Sequence, residues 1–212
     1  MAETFGVGSP LSFDIPPSYN IAPQTFQPVV RLSEETFERR LVLMRWGFIP
    51  YWARDARIGY SSINAKCETV TTGAIFRDAI KRRRCLIPAD GVFEWQESAP
   101  KMKQPYAIGL KDGSPFAFAG LWERWTDKVT NRPLDTYTIL TTEPNELIAP
   151  IHDRMPVILA PKDYERWMAP ADLAQLPVDL LIPYPAEEMT AWKINVRVGD
   201  VRNDEATVIG PR

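Results

Sequence analysis

At 212 residues, with 45% hydrophobic and 25% charged side chains, the chain is long enough to bury an ordinary core, and its length fits one domain. A formal net charge of -2 excludes a protein that coats duplex DNA through a broad basic surface, so any nucleic-acid contact must be local. Two cysteines, Cys67 and Cys85, and one histidine, His152, are too few for a disulfide framework or a structural zinc, and no metal or cofactor is expected.

Met1 to Pro10 lacks the basic start and apolar run of a signal peptide, and no apolar stretch approaches the roughly 18 to 20 residues of a membrane helix. A soluble cytoplasmic monomer with no membrane partner is the expectation. Ser9 to Pro28 carries Pro10, Pro16, Pro17, Pro23 and Pro28 and reads as extended or turn-like chain wrapping the surface. Val29 to Leu32 and Arg40 to Trp46 read as strands joined by an acidic turn. The second alternates Leu41, Leu43 and Arg45 against Val42, Met44 and Trp46.

Thr72 to Arg83 places Ala74, Ile75, Ala79 and Ile80 at helical spacing and ends in basic residues that suit the negative pole, which predicts a helix. Cys85 to Pro88, Gly91 to Gln96, Tyr106 to Leu110, Phe116 to Leu121 and Tyr137 to Thr142 are short β-rich runs broken by Gly, Pro and Asp. Asn145 to Ile148 predicts a helical turn, and Pro161 to Met168 a second small helix with Tyr164, Trp167 and Met168 on its apolar face. The fold class is α+β, one domain with a curved mixed sheet of short strands.

Chemistry concentrates in four segments: Ser62 to Thr69 with Asn64, Ala89 to Trp95 with Glu94, Ile139 to Asn145 with Thr141, and Ile151 to Pro156 with His152. They supply an amide, a carboxylate, hydroxyls and an imidazole, a set suited to acid-base work. Val92, Phe93 and Trp95 flank Glu94 and would desolvate it, raising its pKa; the competing reading is a strand carboxylate facing water. His152 is either an acid-base group or a turn residue beside a surface ion pair of Asp153 and Arg154. The Arg77 to Arg84 run is either a phosphate site or a solvated helix end. Trp46, Trp52 and Trp95 are either core rings or stacking surfaces for unpaired bases.

Taken in order, Tyr19-Asn20-Ile21-Ala22-Pro23, Arg45-Trp46-Gly47-Phe48-Ile49-Pro50-Tyr51-Trp52, Asn64-Ala65-Lys66-Cys67-Glu68-Thr69, Gly91-Val92-Phe93-Glu94-Trp95 and Ile151-His152-Asp153-Arg154-Met155-Pro156 resemble the successive signatures of the SRAP family, the SOS response-associated peptidases. The resemblance implies a barrel-like SRAP domain over the whole chain, acting on abasic sites in single-stranded DNA. In that family an N-terminal cysteine condenses through its α-amine with the ring-opened sugar aldehyde, and its thiol closes a thiazolidine. An α-amine pKa near 7.7 makes such an amine partly neutral at physiological pH. The peptidase label refers to removal of the initiator methionine.

Carried onto this sequence, the resemblance gives Asn64 the positioning of the N-terminus or sugar, Glu94 the proton transfers and His152 ring opening or reversal, with Thr141 lining the pocket. Arg45, Lys66 and Arg154 become phosphate contacts, and Trp46 and Trp95 stacking or wedge surfaces. Lys66 stands where the family uses arginine and loses the bidentate fork. The opening Met1-Ala2-Glu3-Thr4-Phe5-Gly6-Val7 differs from the family's Met-Cys-Gly-Arg, as if roughly fifteen residues bearing the nucleophile were missing; internal Cys67 and Cys85 have no α-amine to replace it. Two other functions stay open: a non-covalent single-strand binding module, and a peptide hydrolase using Glu94 and His152.

Overall fold

The computed structural model describes residues 3–8, 14–100, 102–170 and 175–210. Two strands open the fold: β1 (Phe26–Leu32) and β2 (Arg39–Trp46), an antiparallel pair in register from Phe26 with Arg45 to Leu32 with Arg39. The prediction for this region holds with one correction, since Pro28 lies inside β1 opposite Leu43. The first part of the proline-rich stretch, Ser9 to Phe13, lies outside the described residues. Leu41 and Met44 of β2 are buried while Leu43 is 45% exposed, so the strict alternation read from sequence does not map onto one buried and one wet face.

After β3 (Asn64–Lys66) and a 3-10 turn at Cys67–Thr69 come α1 (Ala79–Arg82) and β4 (Arg84–Ala89). The helix predicted over Thr72 to Arg83 is thus only four residues long. The preceding residues form successive turns instead: the Gly73 N–H bonds back to Thr69, and Phe76 and Arg77 both bond to the Gly73 carbonyl, before one helical turn forms. The strands predicted downstream are all present, as β5 (Val92–Ala99), β6 (Met102–Leu110), β7 (Phe116–Thr126) and β8 (Pro133–Thr142). Short strands β9 (Met155–Pro156) and β10 (Ile158–Leu159), helix α2 (Tyr164–Met168) and β11 (Met189–Lys193) complete the regular elements.

Strands β7, β4, β1, β2 and β8 pair in that order, and β7 also pairs with β8, closing a five-stranded barrel. Every step of that ring is antiparallel except β2 to β8. Closure removes the unpaired edges that a curved sheet would otherwise expose. Strand β3 adds to β8 in parallel, and β5, β6 and β11 form a second, antiparallel sheet. Alternation along β7 divides the core: Ala117, Ala119 and Leu121 pack on the side of α1 and α2, while Phe116, Phe118 and Trp122 join the cluster that includes Ile108 and Met189 of the second sheet. Gly120 lies opposite Cys85, where a Cβ would come within 2.1 Å of the Ile87 side chain.

Arg84 organises the helical side. Only 4% exposed, it donates from Nε to the Trp167 carbonyl at 2.6 Å and from its two terminal nitrogens to the carbonyls of Ile80 and Ala169. It thereby caps the ends of α1 and α2, helices too short to persist alone. Arg83 pairs with the buried carboxylate of Glu123. Arg83 and Arg84 of the basic run are accordingly engaged with the fold, so neither the phosphate site nor the solvated helix end describes the whole of Arg77 to Arg84. Tyr164, Trp167 and Met168 of α2 are buried, as predicted, and Trp167 donates to the Cys85 carbonyl. The Tyr19-Asn20 motif also finds a structural role, because the Asn20 amide donates to the carbonyls of Val198, Asp200 and Asn203 and pins the N-terminal segment to the chain's end.

Candidate active site

Glu94 lies on β5 opposite Tyr106 of β6. Phe93 and Trp95, on the other face of the strand, pack against Ala107, Ile194 and Val198, which fixes the direction in which Glu94 points. Its side chain is 19% exposed. Burial pushes its pKa up; the neighbouring His152 charge and the Trp95 N–H oppose the rise without cancelling it. Of the two readings the sequence left open for Glu94, the structure matches the desolvated carboxyl rather than the strand carboxylate facing water.

The loop after β8 brings His152 to this carboxyl. Asn145 accepts from the Ile148 N–H and donates to the Tyr184 carbonyl, and His152 N–H bonds back to Ile148, so the predicted turn at Asn145 to Ile148 sets up the approach. Gln96, two residues along β5 from Glu94, donates to the Pro150 carbonyl at 2.8 Å and ties the loop down. His152 Nε2 then stands 3.9 Å from Glu94 Oε2, too long for a direct hydrogen bond but within ion-pair range. On the other side of the ring, the Arg154 N–H donates to Nδ1 at 3.1 Å. A neutral imidazole that accepts this bond carries its proton on Nε2, facing Glu94. A protonated ring would instead offer its Nδ1 proton to the Arg154 carbonyl at 3.1 Å or the Asp153 carboxylate at 3.3 Å.

Arg154 continues the site towards β8 and β3. Its terminal nitrogens grip both oxygens of Glu68, at 2.6 and 2.9 Å, and one also reaches the Thr141 carbonyl at 2.6 Å. Thr141 is buried and pairs with Lys66 of β3. Within β3, Ala65 is buried while Asn64 and Lys66 are exposed on the opposite face. Glu94, His152, Arg154, Thr141 and Lys66 thus form a continuous chain of neighbours. Asn64 enters through its strand position, two residues from Lys66, and no hydrogen bond links its amide to Glu94 or His152 among the described residues.

Arg45 and Trp46 end β2, where they pair with Thr136 and Tyr137 at the other end of β8 from Thr141. Trp46 is half-buried, stacked on Tyr137 at 6.3 Å between ring centres, and donates to the Ile63 carbonyl, supporting the entry to β3. Arg45 is half-buried against Gly59, and its Nε and Nη2 have no hydrogen-bond partner among the described residues. Trp95 is half-buried beside Phe93. Trp52, named in the sequence reading only as one stacking alternative, is 46% exposed, next to Tyr51 at 56%. It borders a surface depression of about 610 Å³ with Arg54, Asp55 and Arg57, and no residue of the Glu94–His152 pair lines it.

Sequence reasoning passed over Glu68 and Gln96 as individual residues, although both stand inside or beside segments it singled out. Cys67 is half-buried and burial pushes its thiol up to about 12, while complete burial raises that of Cys85 as well; both thiols are protonated near neutral pH. Among the described residues no three His, Cys, Asp or Glu side chains gather closely enough to hold a metal ion. No helix among them is long and apolar enough to cross a membrane.

A family model described as "SOS response associated peptidase (SRAP)" matches residues 1–201. The abasic site processing protein YoaM of Bacillus subtilis (strain 168) is 43% identical over 194 residues, covering 91% of this chain and 84% of that protein. The abasic site processing protein YedK of Escherichia coli (strain K12) is 30% identical over 195 residues, with 91% and 84% covered. Among solved structures, a protein from Bacteroides thetaiotaomicron superposes with a TM-score of 0.80 at 32% identity, covering 89% of this chain and 82% of that one.

Proposed function

Because the chain belongs to the SOS response associated peptidase family, we propose that it recognises abasic sites in single-stranded DNA and that Glu94 and His152 move the protons of the sugar chemistry. The observation that carries this reading is the half-buried Glu94 carboxyl, its pKa raised by desolvation, facing the Nε2 edge of the only histidine. A pair of titratable groups held in different environments can serve as acid and base together.

Opening the abasic sugar breaks the bond between C1 and the ring oxygen. The C1 hydroxyl gives up a proton to a base, the ring oxygen receives one from an acid, and an aldehyde remains. Glu94 and His152 supply those two functions. An amine adding to the aldehyde forms a carbinolamine, whose hydroxyl leaves as water after taking a proton from Glu94, and the C=N bond forms as nitrogen loses its proton. Where the amine belongs to an N-terminal cysteine, its thiol adds across C=N, forming the C–S bond and passing its proton to nitrogen. The internal, protonated thiols of Cys67 and Cys85 do not fill that role.

In this reading Asn64 orients the sugar and Thr141 walls the pocket. Lys66, Arg154 and Arg45 meet phosphates, and Trp46 and Trp95 act as stacking or wedge surfaces for bases, with the exposed Trp52 as a further stacking ring. Phosphate contacts hold the strand in register and the acid-base pair selects the lesion.

The test compares this chain, and a version with the family's Met-Cys-Gly-Arg opening and the helix that follows it restored, on oligonucleotides with or without one abasic site, run on denaturing gels. A shifted band for the cysteine-bearing form on the abasic strand alone, diminished in Glu94→Gln, is the expected result. Equal salt-sensitive binding to both strands with no shifted band in either form would make this a non-covalent binding module. Turnover of unrelated peptides that vanishes in Glu94→Ala would make it a hydrolase.

A further inference from the structure

Arg154 has five N–H donors, and their disposition constrains how it meets a phosphate. The edge formed by its two terminal nitrogens is occupied by the Glu68 carboxylate in a bidentate fork. The second donor of one terminal nitrogen is spent on the Thr141 carbonyl, and Nε is buried with no partner among the described residues. A phosphate therefore has no free two-donor edge to grip while Glu68 stays in place. Carboxylate and phosphate present similar paired oxygens to a guanidinium, so the two can compete for the same edge of Arg154.

The two partners differ in what holds them. The Arg154 side chain is 21% exposed and is anchored by buried Thr141 as well as by its own main chain beside His152. Glu68 is 48% exposed, follows the edge strand β3, and can turn into water when displaced. The half-exposed carboxylate is thus the arm of the fork that can leave, and a phosphate replaces its charge-assisted bidentate contact in kind. Glu68 lies one residue beyond Cys67 and two beyond the exposed Lys66, so its release leaves Lys66 and Arg154 with one carboxylate fewer beside them, Asp153 remaining next to Arg154.

We infer that Glu68 is a specificity-determining residue that competes with DNA phosphate for Arg154, so that only a strand seated well enough to displace it gains the bidentate contact. This rests on the reading of Arg154 as a phosphate contact. Its cost to binding has a recognisable electrostatic form. When a phosphate replaces Glu68 it gives up a counterion, but the freed carboxylate acquires one, so this contact adds little to the salt dependence of binding. Removing the carboxylate restores the full release.

The test is fluorescence anisotropy of a labelled single-stranded oligonucleotide across a salt series, with wild type, Glu68→Gln, Arg154→Gln and the double variant. Glu68→Gln is expected to tighten binding by about fivefold at low salt and to steepen the slope of log affinity against log salt by about 0.7, the value for one additional single-strand phosphate contact. In the Arg154→Gln background the same substitution is expected to change affinity less than about twofold. Weaker or unchanged binding by Glu68→Gln, with wild type still binding DNA, would mean that Glu68 merely orients Arg154 and overturns the inference alone. An equal gain in the Arg154→Gln background would make it a bulk charge effect and overturn it too. Absence of DNA binding by wild type and Glu68→Gln alike would sink the functional reading together with this inference.

Discussion

Glu94→Gln separates what the site costs the fold from what it does. The carboxyl is 19% exposed, the nearest ionisable group is His152 at 3.9 Å, and the Trp95 backbone N–H supports it. Its folded-state pKa is raised, chiefly by burial. Below its unfolded-state value the group is protonated in both states and its contribution to stability is fully present. As pH rises towards the folded value the native state retains a proton that the unfolded chain has released, and stability falls; above the folded value the contribution is lost, because a carboxylate is then held in a poorly compensated site. Glutamine keeps the shape and never ionises. Relieving one incompletely paired buried group is worth on the order of 1 kcal/mol. Urea unfolding of the variant is therefore expected to match wild type near about pH 4 and to show about 1 kcal/mol more stability near about pH 8. Over the same variant, sugar opening and imine formation are expected to slow by about 100-fold, the low end for loss of a general acid-base group. A variant less stable than wild type at the higher pH, or equally fast on an abasic strand, would refute the argument.

Other expectations follow from the scaffold and the surface. Arg84→Met leaves three helix-end carbonyls without their donor and is expected to cost about 3 kcal/mol in urea unfolding while leaving DNA affinity per folded molecule unchanged. Gly120→Ala inserts a methyl group 2.1 Å from the Ile87 side chain and is expected to destabilise by about 1 to 3 kcal/mol, measured the same way. Trp52→Ala, removing an exposed ring, is expected to weaken single-strand binding by about 1 kcal/mol or more for intact and abasic strands alike, as read by titration.

Much of this architecture was readable from residue patterns. Short β-rich runs bounded by Gly, Pro and Asp located β4 to β8, because strand chemistry and turn chemistry there agree. The raised pKa of Glu94 was one of two readings the sequence left open, and its stated route was not the right one. Phe93 and Trp95 lie on the opposite face of β5, so adjacency in sequence did not mean contact, and the face carrying Glu94 is reached by a loop 50 to 60 residues later, tied down through Gln96. Strand β3 was missed because three residues carry no periodic signal and its existence depends on the partner β8. The Arg154–Glu68 fork joins positions 86 residues apart and has no local signature. In the Arg77 to Arg84 run, charge alone could not tell a buried capping arginine, Arg84, from its exposed neighbours. The helix read over Thr72 to Arg83 kept only its last turn, where Ala79 and Ile80 are buried, while Ala74 is exposed and the residues before it form turns.

The most direct measurement is the ratio of this chain's affinities for two single-stranded oligonucleotides identical except for one abasic site, in wild type, Glu94→Gln and His152→Gln. The geometry predicts that wild type prefers the abasic strand by about tenfold, a difference of about 1.4 kcal/mol, and that either substitution erases the preference while leaving affinity for the intact strand in place. A ratio of one in wild type, or a preference that survives both substitutions, would show that the paired carboxyl and imidazole do not read the lesion.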